Sequence, residues 1–148
     1  MIPHLTTTGE ILDRSEKDGT EPRRAWHKSH GKWESDPIVD DLSLVLEAQD
    51  GLVIIGGCCH AGILNTCAHV SKMFDERIHA FIGGSHMLHF TRDEVSHVAD
   101  VLEQTYGPPQ LYLNHCTGKK TMAQVREQFG SEIAHDCRVG TELTYEIN

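Results

Sequence analysis

The feature that most constrains the fold of this chain is an alternation of apolar runs with helical patterns, repeated three times. Each repeat begins with an apolar, β-branched run typical of a buried strand: "LVIIG", "IHAFI" and "QLYLN". Each run is followed by a loop and by a segment whose apolar residues recur at helical spacing. This order predicts an α/β layered fold. Ligands of such folds bind beyond the carboxyl ends of the strands.

Local signals add detail to this pattern. Leu42–Ala48 and Leu52–Gly56 are joined by "QDG", which predicts a β-hairpin. Thr91, with Glu94 three residues later, predicts a capping box at the second helix, and Gly130 predicts the end of the third. The alternating run "TELTYEI" predicts a half-exposed final strand. The residues predicted to form the buried helical faces are Ile63, Leu64, Cys67, Val70, Met73, Phe74, Val95, Val98, Ala99, Leu102, Met122, Val125 and Phe129.

Length and composition limit the class of protein. The 148 residues suffice for one compact domain, with residues 38–148 as its body and the polar residues 1–37 as an irregular arm. A net charge of −9 disfavours a nucleic-acid partner. No apolar run approaches the ~18 residues that would span a membrane, and no secretory signal opens the chain. Five cysteines without a C-x-x-C pair argue against a disulfide framework or a structural zinc site and favour a reducing, cytoplasmic location.

A histidine follows each of the three strands. His60 lies in "GGCCHAGILNT", His86 in "GGSHM" and His115 in "NHCTG". A single histidine at a strand end is more often structural or solvated than a ligand. Three at the same topological position predict imidazoles that converge in one crevice, an arrangement suited to zinc, iron or manganese.

The cysteines and aspartates offer alternatives. "HCTGKKTM" is similar to the loop of cysteine phosphatases, but Met122 stands where that loop carries its arginine, six residues after Cys116. Cys58 is a soft metal ligand if its sulfur faces the crevice, whereas the remaining cysteines are interpreted as packing residues. Asp40 and Asp41 are expected to hold a loop by hydrogen bonds.

Several motifs, in order, resemble one known family. "GLVIIGGCCHAGILNT", "HAFIGGSHM", "LYLNHCTG" and "VGTELTYE" are similar to the C-terminal half of metallo-β-lactamase superfamily proteins, and "TGEI" near the start also fits. The nearest subgroup is labelled ribofuranosylaminobenzene-dihydropterin phosphate synthase-like. The resemblance implies half of an αββα sandwich, one or two metal ions and hydrolysis of a small molecule, such as a phosphoester, by a metal-bound hydroxide. It implies metal ligation by His60 and His115. For His86 it implies a role either as a further ligand or as the catalytic residue that transfers a proton and orients the substrate.

The chain also departs from that family. The main ligand motif, His-x-His-x-Asp-His, belongs to the N-terminal half of such proteins and is absent from this sequence. The chain is therefore expected to be a fragment of a longer product, an inactive truncation, or a half-domain that a second copy or a partner chain completes. Half a sandwich leaves an apolar sheet face uncovered, which favours association. The alternative function is that of a non-catalytic remnant that acts through association.

Overall fold

A six-stranded mixed β-sheet organises the computed structural model, which describes residues 2–19 and 25–147. The elements are β1 (Leu5–Thr7), β2 (Trp26–Ser29), β3 (Lys32–Ser35), β4 (Ser43–Ala48), β5 (Gly51–Gly56), α1 (Ile63–Met73), β6 (Ile78–Gly84), α2 (Arg92–Tyr106), β7 (Gln110–Asn114), α3 (Lys119–Phe129) and β8 (Ala134–Asp136). The order across the sheet is β1-β4-β5-β6-β7-β8. β1, β4 and β5 pair antiparallel, whereas β5 to β8 run parallel.

The main core lies between the helices and one face of the sheet. Phe81 and Leu111 are examples of strand residues whose side chains are essentially inaccessible and pack in one cluster with Leu64, Val95 and Val125 from the three helices. This is the layered α/β arrangement that the repeat predicts. The predicted hairpin of β4 and β5 is confirmed. The capping box is confirmed as well, since Thr91 and Glu94 exchange side-chain and backbone hydrogen bonds.

The second face of the sheet carries a smaller apolar cluster. Val53 and Ala80 are buried there, and Leu46, Ile82 and Tyr112 are only partly covered. Tyr145 from the C-terminal segment packs on the same cluster. Among residues 2–19 and 25–147, this face therefore has an incomplete apolar cover, whereas residues of the three helices pack on the opposite face.

Three expectations differ from the structure. Residues 1–37 were expected to be irregular, yet β1 joins the sheet beside β4, and β2 pairs with β3; residues 20–24 lie outside the described chain. The predicted strand in "TELTYEI" is wrong, because β8 occupies the sheet edge beside β7 and the tail lies over the second face instead. Met73 was predicted to be buried but is 41% exposed, since it ends α1 beyond the packed turn.

Most of the other local predictions are confirmed. α3 ends at Gly130, whose φ of 78° lies in the region that favours glycine. Met122 and Val125 are buried, and Phe129 packs partly on the core. Within the described residues, no helix has the length and apolar composition needed to cross a membrane.

Candidate metal centre

The loops that carry the three strand-end histidines meet at one edge of the sheet. β5, β6 and β7 are parallel neighbours, so their carboxyl ends lie side by side. The Gly84 N–H donates to the carbonyl oxygen of Gly57 at 2.8 Å, which joins the first two loops. The Leu88 N–H donates to the carbonyl oxygen of Cys116 at 3.2 Å, which joins the second and third. These bonds form the crevice that the sequence predicts.

Gly84 allows the loops to approach this closely. A Cβ atom at this position would lie 2.6 Å from Cys116 Sγ and 2.8 Å from the carbonyl oxygen of Gly57. Either distance is a steric overlap. The absence of a side chain at Gly84 therefore makes room for the Cys116 sulfur at the base of the crevice.

His60 and His86 form a contacting pair. Their ring centroids are 4.1 Å apart, and the ring planes are inclined by 41°. Nδ1 of His60 is buried and has no hydrogen-bond partner among the described residues. A buried polar atom of this kind is costly unless water or an ion satisfies it. An imidazole nitrogen with a lone pair in this position fits a divalent metal such as zinc.

A second group lies beside this pair. One sulfur each from Cys58 and Cys116 and one imidazole nitrogen of His115 all lie within 4.8 Å of one another. The Cys116 thiol donates to the carbonyl oxygen of Cys58 at 3.2 Å, and its sulfur accepts from the backbone N–H of His86 at 3.3 Å. Cys116 therefore connects the loops of all three strands.

The backbone at the site is strained. His86 and His115 have φ angles of 46° and 45°, and Cys59 has a φ of 60°. Such left-handed conformations are unfavourable for residues with a side chain, by about 1–3 kcal/mol each. The surrounding contacts hold these conformations in place, and a concentration of them at one sheet edge is typical of functional sites.

Contacts from outside the three loops fix the position of His60. Asp41 Oδ2 accepts from the backbone N–H of Ala61 at 3.0 Å, which confirms the expected loop-holding role of this aspartate. The Gly19 N–H donates to the carbonyl oxygen of His60 at 2.9 Å. Gly19 is buried and lies against the side chain of His86, so the N-terminal segment closes one side of the crevice.

The protonation of the cysteines follows their surroundings. Burial raises the pKa of Cys59 to about 12, and the same cause raises the pKa of Cys67. Both residues are core thiols, and Cys59 also contacts the Thr66 hydroxyl at 3.4 Å. Burial also raises the pKa of Cys116, and the His86 N–H, which favours the thiolate, partly offsets this. Cys59 and Cys67 are thus packing residues, as predicted.

The structure divides the predicted site residues into two groups. His60 lies next to His86, while His115 and Cys58 lie next to Cys116. Sequence reasoning treated Cys116 as a packing residue or, alternatively, as the nucleophile of a phosphatase loop. The available signal was its place directly after His115. The phosphatase alternative loses further support because Met122 is buried in the core.

Three other histidines make contacts elsewhere in the fold. His69 contacts the carbonyl oxygen of Thr8 at 3.1 Å, and His97 pairs with Glu16 on the exposed side of α2. His135 stacks on Tyr112 with the ring centroids 4.7 Å apart. Each therefore has a structural contact of its own.

Comparison with known proteins finds similarity in sequence and in fold. No protein-family model matches the chain. The chain is 27% identical over 137 residues to 7,8-dihydropterin-6-methyl-4-(beta-D-ribofuranosyl)-aminobenzene-5'-phosphate synthase of Methanocaldococcus jannaschii, a match that covers 90% of this chain and 46% of that protein. A solved metal-dependent hydrolase of the beta-lactamase superfamily superposes with a TM-score of 0.70 at 24% identity, over 87% of this chain and 49% of the other.

These matches establish the fold and its extent. The chain spans about half the length of the curated relative and of the solved structure. The chain therefore has the fold of about half of a beta-lactamase superfamily protein.

Proposed function

We propose that the chain is the C-terminal half of a metal-dependent hydrolase domain that acts on a small molecule. The observation that carries the proposal is the convergence of the three strand-end loops. It places Cys58, His115 and Cys116 within 4.8 Å of one another, with the His60–His86 pair beside them. The metal-dependent hydrolase of similar fold supports this reading.

The residues of the crevice divide into ligands and a proton carrier. His60, His115 and Cys58 would hold one or two divalent ions, of zinc or alternatively iron or manganese. A bound ion supplies Lewis-acid stabilisation of negative charge and makes a water molecule more acidic. The His86 ring, in contact with His60, orients the substrate and transfers a proton. Gly19 lies against the His86 side chain and keeps bulk water from that side of the residue.

The proposed class of substrate is based on the name of the relative from Methanocaldococcus jannaschii. The name of the curated relative specifies a product with a 5'-phosphate. We therefore propose a phosphoester or a related small molecule as the substrate. The proposed cytoplasmic location agrees with free cysteines in the described chain.

The proposal also concerns how the sandwich is completed. The similar proteins are about twice as long as this chain. The sheet face that holds Leu46, Ile82 and Tyr112 is only partly covered. We propose that a second copy of the chain covers this face and contributes the remainder of a sandwich.

The test is hydrolysis of bis(p-nitrophenyl) phosphate by the chain reconstituted with zinc or manganese. Metal-dependent release of nitrophenol is expected, and His60→Ala and His115→Ala should abolish it. His79→Ala is the matched control, because His79 lies near the start of β6, at the opposite end of that strand from His86. Activity that survives both variants, or that is absent with every metal, would contradict the proposal.

A second candidate function is that of a non-catalytic remnant that acts through association. The incomplete apolar cover of the second sheet face favours it. It predicts a stable oligomer without metal-dependent hydrolysis. A monomeric chain that hydrolyses the test substrate would exclude it.

A further inference from the structure

We propose that Cys116 is a metal ligand and that Cys58, His115 and Cys116 form a thiolate-rich site for a soft or borderline metal. This inference deepens the proposed function, on which it rests for the location of the metal in the crevice. It adds a ligand that neither the family resemblance nor the comparisons supply. It also narrows the class of metal.

The geometry of the three ligand atoms is close to that of a bound ion. They all lie within 4.8 Å of one another. Two sulfurs on a tetrahedral zinc ion, with zinc–sulfur bonds of about 2.3 Å, are separated by about 3.8 Å. The upper limit of 4.8 Å on the separations of the three ligand atoms is about 1 Å longer than this value. Cys58 and Cys116 are half-buried and His115 is exposed, so the group is open to an ion from solvent.

Backbone contacts hold Cys116 in this position. The His86 N–H donates to its sulfur at 3.3 Å, and the sulfur lies in the space that Gly84 leaves open. A hydrogen bond of this kind orients a ligand and stabilises its charge when it binds a metal. The neighbouring Thr117 is buried and accepts from the Ser85 hydroxyl at 2.9 Å, which fixes the same turn.

The other cysteines lack this environment. Cys59, next in sequence to Cys58, is buried and contacts Thr66. Cys67 is buried in α1, and Cys137 follows β8, where its N–H donates to the Leu113 carbonyl oxygen. Cys58 and Cys116 are therefore the two cysteines that lie close to each other and to His115.

The ligand set predicts which metals bind. Two sulfurs and one imidazole favour zinc or cobalt over manganese or magnesium, which prefer oxygen ligands. A fourth position remains for water, substrate or a ligand from a completing chain. Both thiols release their protons to the buffer when the ion binds.

The test uses cobalt as a spectroscopic probe on the reduced chain. Titration with Co²⁺ should produce the near-ultraviolet charge-transfer absorption of thiolate–cobalt bonds, and zinc should displace it. Cys116→Ser should reduce this absorption by about half and weaken zinc binding more than the ~10–100-fold expected of an indirect contact. Cys137→Ser is the matched control and should leave both quantities unchanged.

A second measurement covers the case in which Cys116→Ser fails to fold. Alkylation of the native chain, followed by peptide mass analysis, should label Cys58, Cys116 and Cys137 without metal. Saturating zinc should protect the first two and leave Cys137 reactive. Equal labelling with and without zinc, or unchanged cobalt absorption in a folded Cys116→Ser variant, would overturn the inference.

These outcomes are independent of the hydrolase proposal. Thiolate absorption without hydrolysis would support the ligand assignment and contradict the proposed activity. The opposite result is metal-dependent hydrolysis that Cys116→Ser leaves intact, with no thiolate absorption in the parent chain. It would support the proposed activity and contradict the ligand assignment.

Discussion

The imidazole rings of His60 and His86 lie 4.1 Å apart, although the two residues follow different strands of the sheet. Within the part of the chain that the structure describes, the buried Nδ1 of His60 has no hydrogen-bond partner, and His86 has a left-handed backbone conformation. The two rings thus meet in different environments. This difference agrees with separate roles, in which His60 binds metal and His86 moves a proton.

The first prediction separates these two roles. We expect His60→Ala to lower the amount of zinc bound per chain, because it removes a proposed ligand. His86→Ala should leave zinc binding near that of the parent chain and lower the rate of hydrolysis by roughly 10²–10⁴-fold, the usual contribution of a general acid or base. Elemental analysis and steady-state kinetics measure the two effects. Equal loss of zinc in both variants would show that the rings share one role.

The second prediction concerns the strained backbone at His115. Its φ of 45° is unfavourable for any residue with a Cβ atom. We expect His115→Gly to be more stable than His115→Ala by about 1 kcal/mol, since glycine adopts this conformation without a steric penalty. Urea denaturation of the metal-free variants measures the difference. Equal midpoints would mean that the surroundings impose no left-handed conformation there.

Sequence reasoning reached the crevice because its location follows from topology. Parallel strands place their carboxyl ends at one edge, so the loops that carry His60, His86 and His115 are neighbours once the helices between the strands are recognised. The division into two groups depends on the left-handed turn at His115 and on the vacant space at Gly84. Neither can be read from hydrophobic periodicity, and Cys116 was therefore assigned to packing.

The wrong strand predictions near the C-terminus have a different cause. β8 comprises only Ala134–Asp136, too short for a periodic pattern, and its pairing with β7 is a tertiary contact. The segment around Tyr145 alternates like a strand because one side of it packs on the second sheet face. The alternation of apolar and polar residues in this segment therefore reflects burial of one side. The segment does not form the hydrogen-bond ladder of a strand.

The third prediction tests the space beside Cys116. Gly84→Ala places a Cβ atom 2.6 Å from Cys116 Sγ, so the sulfur or the Gly57 loop must move. We expect a loss of about 1–3 kcal/mol in stability, as in other overpacked sites, together with weaker cobalt–thiolate absorption. Gly57→Ala is the control, because a Cβ atom there meets nothing within 4 Å. Similar effects of the two variants would contradict the proposed packing.

The fourth prediction concerns the support of the His60 loop by Asp41. Asp41→Ala removes the acceptor for the Ala61 N–H, a bond of 3.0 Å. We expect zinc affinity to fall by about 10–100-fold, as for other residues that orient a ligand. Asp41→Asn keeps an oxygen that can accept the same bond and should have a smaller effect. Isothermal titration with zinc measures both, and equal losses would assign the effect to the lost charge.

The fifth prediction concerns the second sheet face. Leu44 is 37% exposed and alternates along β4 with the buried Val45, so it lies on the incompletely covered side with Leu46. We expect the chain to form a dimer through this face, because exposed apolar area of this kind drives association. Leu44→Lys should shift the equilibrium toward monomer without changing the fold, and sedimentation velocity over a range of concentrations measures this shift. The exposed Met73 of α1 lies on the helical side, so Met73→Lys is the matched control. A parent chain that remains monomeric at high concentration would contradict self-association through this face.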